Sequence, residues 1–303
     1  MQVSIKSRIA PTPSGYLHMG NAFNFLLTTL LVDFMKGHLH LRIDDYDTSR
    51  IKRKAVEDIF VQLEWLGIEY DSGPSGPDEL FSKYSQQLRK DYYFYAIEAL
   101  RKNKHIFACE CSRSEIRQFP SKRTCPGKCR QKYISFKKNN ISWRVHVPNE
   151  TFIKYKTFMK STEKIKVDES IGDFVIKRRD GLPAYQIVSL IDDLEHGINL
   201  VVRGQDLLAS TGAQLFLAKC LQGKSFLDSQ FVHHKLLINN SGEKLSKKFG
   251  DLSLKTLYKN NPTSVFKETA RILNLPFHEI ITLDHLKESF KKAISQKNLI
   301  FKN

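Results

Sequence analysis

Residues 20–35, GNAFNFLLTTLLVDFM, constrain this chain most: they have helical length and are apolar on nearly every face. A helix without a polar face belongs in an interior, with other elements packed on all its sides. Asn24, Thr28, Thr29 and Asp33 interrupt it, so it falls short of the ~18 to 20 uninterrupted apolar residues of a membrane helix. Residues 3–10 before it read as a strand ending at Pro11-Thr12-Pro13-Ser14-Gly15, and 38–43 after it alternate like a second strand. Helical patterns follow at 52–66 and 79–103. Strand then helix, repeated, predicts an α/β domain with a mostly parallel sheet whose ligands lie beyond the carboxyl ends of its strands.

The texture changes near residue 105. From 101 to 160 the chain carries 16 Lys and Arg against Glu110, Glu115 and Glu150, most of its overall excess of +16. That balance favours a polyanionic partner. The stretch also holds Cys109, Cys111, Cys125 and Cys129. The C-x-C and C-x₃-C pairs can supply four thiolates to one structural Zn²⁺, with free thiols or partial ligation as the alternative. Cys220, in the apolar run QLFLAKCL, reads as a packed core residue. The α/β pattern resumes with strands at 173–178, 198–203 and 231–238 and helices at 183–194 and 206–221. Four segments are therefore expected: 1–104 and 171–250 as two halves of one α/β domain, 105–170 as a basic zinc-containing insertion, and 251–303 as a short helical tail. Asn261 and Pro262 open a tail helix as cap and first residue. Lys287, Lys291, Lys292 and Lys297 fit an ordinary solvated face. The N-terminus lacks the features of a secretory signal, which predicts a cytoplasmic protein with reduced cysteines.

Two short motifs bear on phosphate chemistry. HMGN, residues 18–21, places an imidazole and an unhindered glycine where the apolar helix begins, and free N–H groups there favour anions. Taken alone it is more simply a surface His and a tight turn. KLSKK, residues 244–248, follows a strand and a Ser-Gly turn. Alone it is most simply a solvated basic loop. Together and in this order the two resemble the HIGH and KMSKS signatures of class I aminoacyl-tRNA synthetases, which make an aminoacyl adenylate from ATP and an amino acid. With SRIAPTPSGYLHMGN, LRIDDYDTSR and DGLPAYQIVSLIDDLEHGINLVVRGQDLLAS, they resemble the glutamyl branch of that class.

The resemblance implies a class I Rossmann-type fold carrying an inserted zinc-bearing, acceptor-type module, with ATP and Mg²⁺ as nucleotide and metal. It implies His18, Gly20, Lys244 and Lys247 as catalytic residues, with Asn21 and Ser246 joining them around ATP. Arg8, Thr12, Asp44, Tyr185 and Arg203 would hold glutamate. Arginines suit the two carboxylates and an acid suits the ammonium group. Asp44 stands where the family usually carries Glu, and Thr12 where it often carries Ser. Seen apart from the family, the acids at 44, 45 and 47 fit a turn, Arg203 a surface residue and Tyr185 helix packing.

Only 55 residues follow Lys248, too few for an anticodon-reading apparatus. This outline resembles the glutamyl-Q tRNA(Asp) synthetases, paralogues that glutamylate queuosine in the anticodon loop of tRNA(Asp). A monomeric enzyme of that kind is the expectation. The alternatives are an enzyme charging a tRNA 3′ end or activating another amino acid, and a non-catalytic RNA-binding paralogue.

Overall fold

In the computed structural model, residues 4–118, 124–125, 127–158, 161–236 and 253–296 are described. The chain forms two compact units. One comprises residues 1–88, 200–205 and 232–303, and the other 89–199 and 206–231.

The first unit is built around strand β1, Lys6–Ile9. It pairs in parallel with β2, His38–Leu41, through Arg8 opposite His40, and on its other side with β8, Leu200–Gly204, through Ser7 opposite Leu200. The Ser7 hydroxyl adds a buried bond to the Leu200 carbonyl at 2.8 Å. Parallel neighbours require a crossover connection, and the β1–β2 crossover is helix α1, Met19–Phe34. Its apolar circumference is explained by what surrounds it: the three strands on one side and helices α6, Pro262–Ile272, and α7, Leu283–Ser295, on the other. Phe23, Leu26, Leu27, Leu30 and Leu31 are at most 2% exposed. Such burial is worth about 2 kcal/mol per side chain. The Asn261 side chain accepts a hydrogen bond from Thr263 N–H at 3.1 Å, so the cap and Pro262 begin α6 as the sequence predicts. Lys291 of α7 pairs with Asp33 at 2.8 Å, and Lys287 with Asp284 at 3.3 Å.

Helix α2, Arg53–Trp65, lies close to its predicted place. The helix expected over 79–103 is broken. One turn at Pro77–Glu79, a wide turn at Leu80–Tyr84 and a 3₁₀ turn at Gln86–Arg89 precede helix α3, Lys90–Lys102. Ser85 is extended, with φ −57° and ψ 135°. Its hydroxyl donates to Asp45 Oδ2 at 2.6 Å, and the next N–H, of Gln86, donates to Asp45 Oδ1 at 2.8 Å. The Gln86 N–H thus bonds a carboxylate that is 2% exposed instead of a carbonyl of the preceding turn, and the helical run is interrupted there.

The second unit contains an antiparallel sheet of β3, Ile106–Cys109, β4, Ser142–Val145, and β7, Val175–Lys177, in that order. It also contains a hairpin of β5, Phe152–Thr157, and β6, Thr162–Lys166, with β5 flanked on its other side by Gln230 and Phe231 of strand β9, Gln230–His234. Helices α4, Tyr185–Glu195, and α5, Leu208–Cys220, pack together there. Asp192 of α4 is 1% exposed and is satisfied by Arg89 Nε and the Tyr93 hydroxyl, each at 2.9 Å. Cys220 is half-buried at the end of α5, not a core residue; burial there still pushes its thiol up to about 11.

Candidate functional site

Register decides which of the proposed amino-acid contacts share a side of the sheet in the first unit. Paired residues on parallel neighbours face the same way, and side chains alternate along each strand. Arg8 lies opposite His40, and Arg203 lies three residues beyond Leu200, the partner of Ser7. Arg203 therefore has the parity of Ala10 and hence of Arg8. The β1–β2 pairing continues past the strand ends, through Arg42 N–H to the Ile9 carbonyl and Asp44 N–H to the Pro11 carbonyl, both 2.9 Å. Arg42 and Asp44 thereby take the parity of Ala10 and Thr12. Arg8, Thr12, Asp44 and Arg203 thus belong to one side, toward the carboxyl ends of the strands.

Arg8 is 5% and Arg203 3% exposed. Cations this deep favour an anionic environment. His233, on β9, registers that field. Burial first, then the Arg203 charge, then His234, push its imidazole down to about 3. His234 Nε2 lies 3.1 Å from the Asn24 amide of α1, and its ring meets Phe23 edge-on.

Asp44 is more constrained than the sequence suggests. Its Oδ1 accepts from Arg42 Nε at 2.6 Å and Gln86 Nε2 at 3.2 Å, and its Oδ2 from Arg42 Nη2 at 3.4 Å. The Gln86 side-chain carbonyl in turn accepts from Tyr46 N–H at 3.0 Å. Arg42 and Gln86 join this candidate site through Asp44, and the sequence reading missed both. Arg42 stood in view within LRIDDYD, beside the acids it orients. Nothing in the local pattern marks Gln86.

At the start of α1, His18 is the N-cap, and its N–H donates to Asn21 Oδ1 at 3.0 Å. The His18 Nδ1 atom is buried and has no hydrogen-bond partner among the described residues. Burial holds the imidazole below its ordinary pKa. A Cβ added at Gly20 would come 2.9 Å from His18 Cε1, so glycine there lets the ring lie over the first turn. A neutral imidazole beside a bare glycine backbone at the N-terminus of a helix is a cradle that fits a phosphate chain. Thr12 is exposed in the loop before it. Tyr185 is the first residue of α4 in the second unit and is 43% exposed, so it is not core packing. Lys244, Ser246 and Lys247 lie outside the described residues.

The four cysteines of the second unit converge. Their Sγ atoms lie within 4.8 Å of one another and all four residues are buried, with Cys111 Sγ 3.7 Å from Cys125 Sγ and 3.4 Å from Cys129 Sγ. Thiolates at ~2.3 Å around a tetrahedral ion such as zinc are ~3.8 Å apart, so the set fits one metal ion. Gly127, at φ +90°, turns the chain between Cys125 and Cys129; an added Cβ would strike the Arg130 guanidinium. Cys125 is drawn down to about 4, chiefly by the Cys109 thiol that donates to it, whereas burial pushes Cys111 up. Arg130 reaches buried Asp173 at 3.5 Å, and the Val147 N–H donates to the same carboxylate at 2.9 Å.

The model of the catalytic domain of class I tRNA synthetases (E and Q) matches residues 4–299. A glutamate–tRNA ligase of a Sulfurihydrogenibium species is 33% identical over 308 residues, covering 97% of this chain and 61% of that protein. A glutamyl-Q tRNA(Asp) synthetase of a Synechococcus species is 36% identical over 255 residues, covering 83% of this chain and 76% of that protein. Among solved structures, the glutamate–tRNA synthetase of Elizabethkingia anophelis shares the fold with a TM-score of 0.76 at 21% identity, over 96% of this chain and 66% of that one. The chain spans 52% and 61% of two of the glutamate–tRNA ligases it matches.

The depressed His233 gives a pH signature. The unfolded chain binds a proton at this group near pH 6.5 and the folded chain does not until about pH 3. Stability from it is therefore complete above pH 6.5 and is lost as pH falls, by up to about 1.4 kcal/mol per unit. Urea unfolding between pH 7 and 4.5 is expected to show this slope, and His233→Gln to flatten it. An equal slope in the variant would contradict the assignment.

Proposed function

This chain belongs to the class I tRNA synthetase family of the glutamyl and glutaminyl type, and from that premise we propose that it activates glutamate with ATP and Mg²⁺ and transfers it to queuosine in the anticodon loop of tRNA(Asp). The observation that carries the glutamate reading is the pair of buried arginines, Arg8 and Arg203, on one side of the sheet at its carboxyl end. One dicarboxylate amino acid engages both, with Asp44 at its ammonium group and Thr12 beside it; Tyr185, proposed with them on the family's motif, belongs to the second unit. Arg42 and Gln86 fix the Asp44 carboxylate, which makes them positioning residues for the shorter acid.

His18, Gly20 and Asn21 receive the phosphates of ATP. Lys244 and Lys247 complete the nucleotide site by neutralising charge that builds on the phosphates, and Ser246 adds a hydroxyl donor. The amino acid's own carboxylate attacks the α-phosphate, the bond to pyrophosphate breaks, and no side chain acts as nucleophile. Catalysis is then positioning and electrostatic stabilisation. The four-cysteine site holds zinc as a structural ion with no step of the reaction routed through it.

The queuosine acceptor draws its support from relatives named glutamyl-Q tRNA(Asp) synthetase at 31% and 36% identity, over 84% and 83% of this chain. The long alignment to a glutamate–tRNA ligase supports a second reading, in which the acceptor is a tRNA 3′ end. The cis-diol chemistry is the same in both.

Two outcomes are expected. ATP–pyrophosphate exchange with glutamate and no RNA proceeds in the wild type and falls at least about tenfold in Gly20→Ala, which displaces His18, and in Lys247→Ala. Radiolabelled glutamate is then transferred to tRNA(Asp) carrying queuosine and not to the same tRNA lacking it. Exchange that requires tRNA, with label at the 3′ end, would replace the first acceptor with the second. Metal analysis is expected to return about one zinc per chain, and chelation or Cys129→Ser to lower the melting temperature. A metal-free protein with unaltered melting would contradict the structural zinc.

A further inference from the structure

The hairpin of β5 and β6 pairs Phe152 with Lys166, Lys154 with Lys164 and Lys156 with Thr162. Directly opposed residues share a face, and here it is the outer one. Phe152, Lys154, Lys156, Thr162 and Lys164 are exposed, whereas Ile153, Tyr155 and Ile165 turn inward. Four lysines thus occupy one side of two strands, about 7 Å apart along a strand and about 5 Å across the pair at the backbone.

The ends of this strip are balanced. Lys166 meets Glu150 at 2.7 Å and Glu169 at 2.8 Å while leaning over the Phe152 ring, and Lys156 meets Asp228 at 2.8 Å. The central pair, Lys154 and Lys164, has no acidic partner among the described residues. Like charges directly opposite weaken a ladder, and lysine is a poor strand former. Stability does not select this pair. Lysines on an edge strand can protect against sheet-to-sheet aggregation, which would account for Lys164 on β6. On β5 the pairing with β9 begins only at Lys156, so edge protection could act at Lys154 as well, but it does not explain why two lysines are set directly opposite each other.

We propose that this lysine face is a contact strip for the phosphate backbone of RNA, with Phe152 at one end offering its ring to a base or ribose. It extends the RNA-acceptor reading above by naming the surface that grips the acceptor. Charge selects the occupant: lysines supply phosphate contacts, whereas they are depleted from protein–protein interfaces. The β5 half of the strip lies in the stretch that holds most of the chain's positive charge, and β6 follows directly after it.

The test compares the wild type with Lys154→Ala/Lys164→Ala and Lys154→Arg/Lys164→Arg, titrated with unfractionated tRNA across a series of salt concentrations. Losing two phosphate contacts makes the slope of log affinity against log salt shallower by about 1.5, a loss of about thirtyfold at 0.1 M relative to 1 M salt. The arginine pair retains wild-type binding. Melting temperature holds or rises in the alanine pair, and RNA-independent exchange is unchanged, which separates this inference from the adenylate chemistry. Wild-type tRNA affinity and slope in the alanine pair overturn it. So does a wild type that binds no tRNA, an equal loss in the arginine pair, or equally tight, equally lost binding of polyglutamate, which would assign the face to an acidic protein.

Discussion

Parallel pairing of β1 on both of its edges is the constraint from which the first unit follows. Neither neighbour can be reached by a tight turn, so the chain crosses over between them and every strand points its carboxyl end the same way. The Ser7 bond to Leu200 pins the register on one side, and the Arg8–His40 pairing fixes it on the other. A slip of one residue would turn Arg8 or Arg203 to the opposite face. Because register is fixed, residues nearly 200 positions apart in the chain share one surface, and the crossover helix starts beyond the carboxyl end of β1 with the positive end of its dipole.

That surface concentrates positive charge under low exposure. Arg8, Arg42 and Arg203 are each at most 5% exposed. Buried cations are costly unless compensated, and Arg42 is compensated by Asp44. The low proton affinity of His233 comes first from burial, with the Arg203 charge adding to it. A site with this bias suits carboxylates and phosphates, and the hairpin lysines of the second unit repeat the preference for anions on an exposed face.

The sequence made the elements with local causes legible. An apolar circumference over 20–35 required burial, Asn261-Pro262 carried its own cap, and the paired cysteines announced a cluster whose Sγ atoms lie within 4.8 Å of one another. Features set by distant partners were hidden. The 79–103 periodicity continues through Ser85, yet the helix breaks there because Asp45, forty residues earlier, needs its hydroxyl and the next N–H. Gln86 joins the site for the same non-local reason. The opposed lysines of β5 and β6 are invisible until the hairpin register is known. Cys220 read as core because its run is apolar, but it ends its helix, where burial is incomplete.

The central claim is that Arg8 and Arg203 present two anion-binding positions to a single amino acid. Calorimetric titration of the full chain with L-glutamate and L-glutamine tests it most directly, since the two differ by one charge at nearly constant shape. The account predicts glutamate binding at least about a hundredfold tighter, because glutamine lacks the second carboxylate that an arginine would hold bidentately. Equal affinity for the two, or a preference for glutamine, would contradict it.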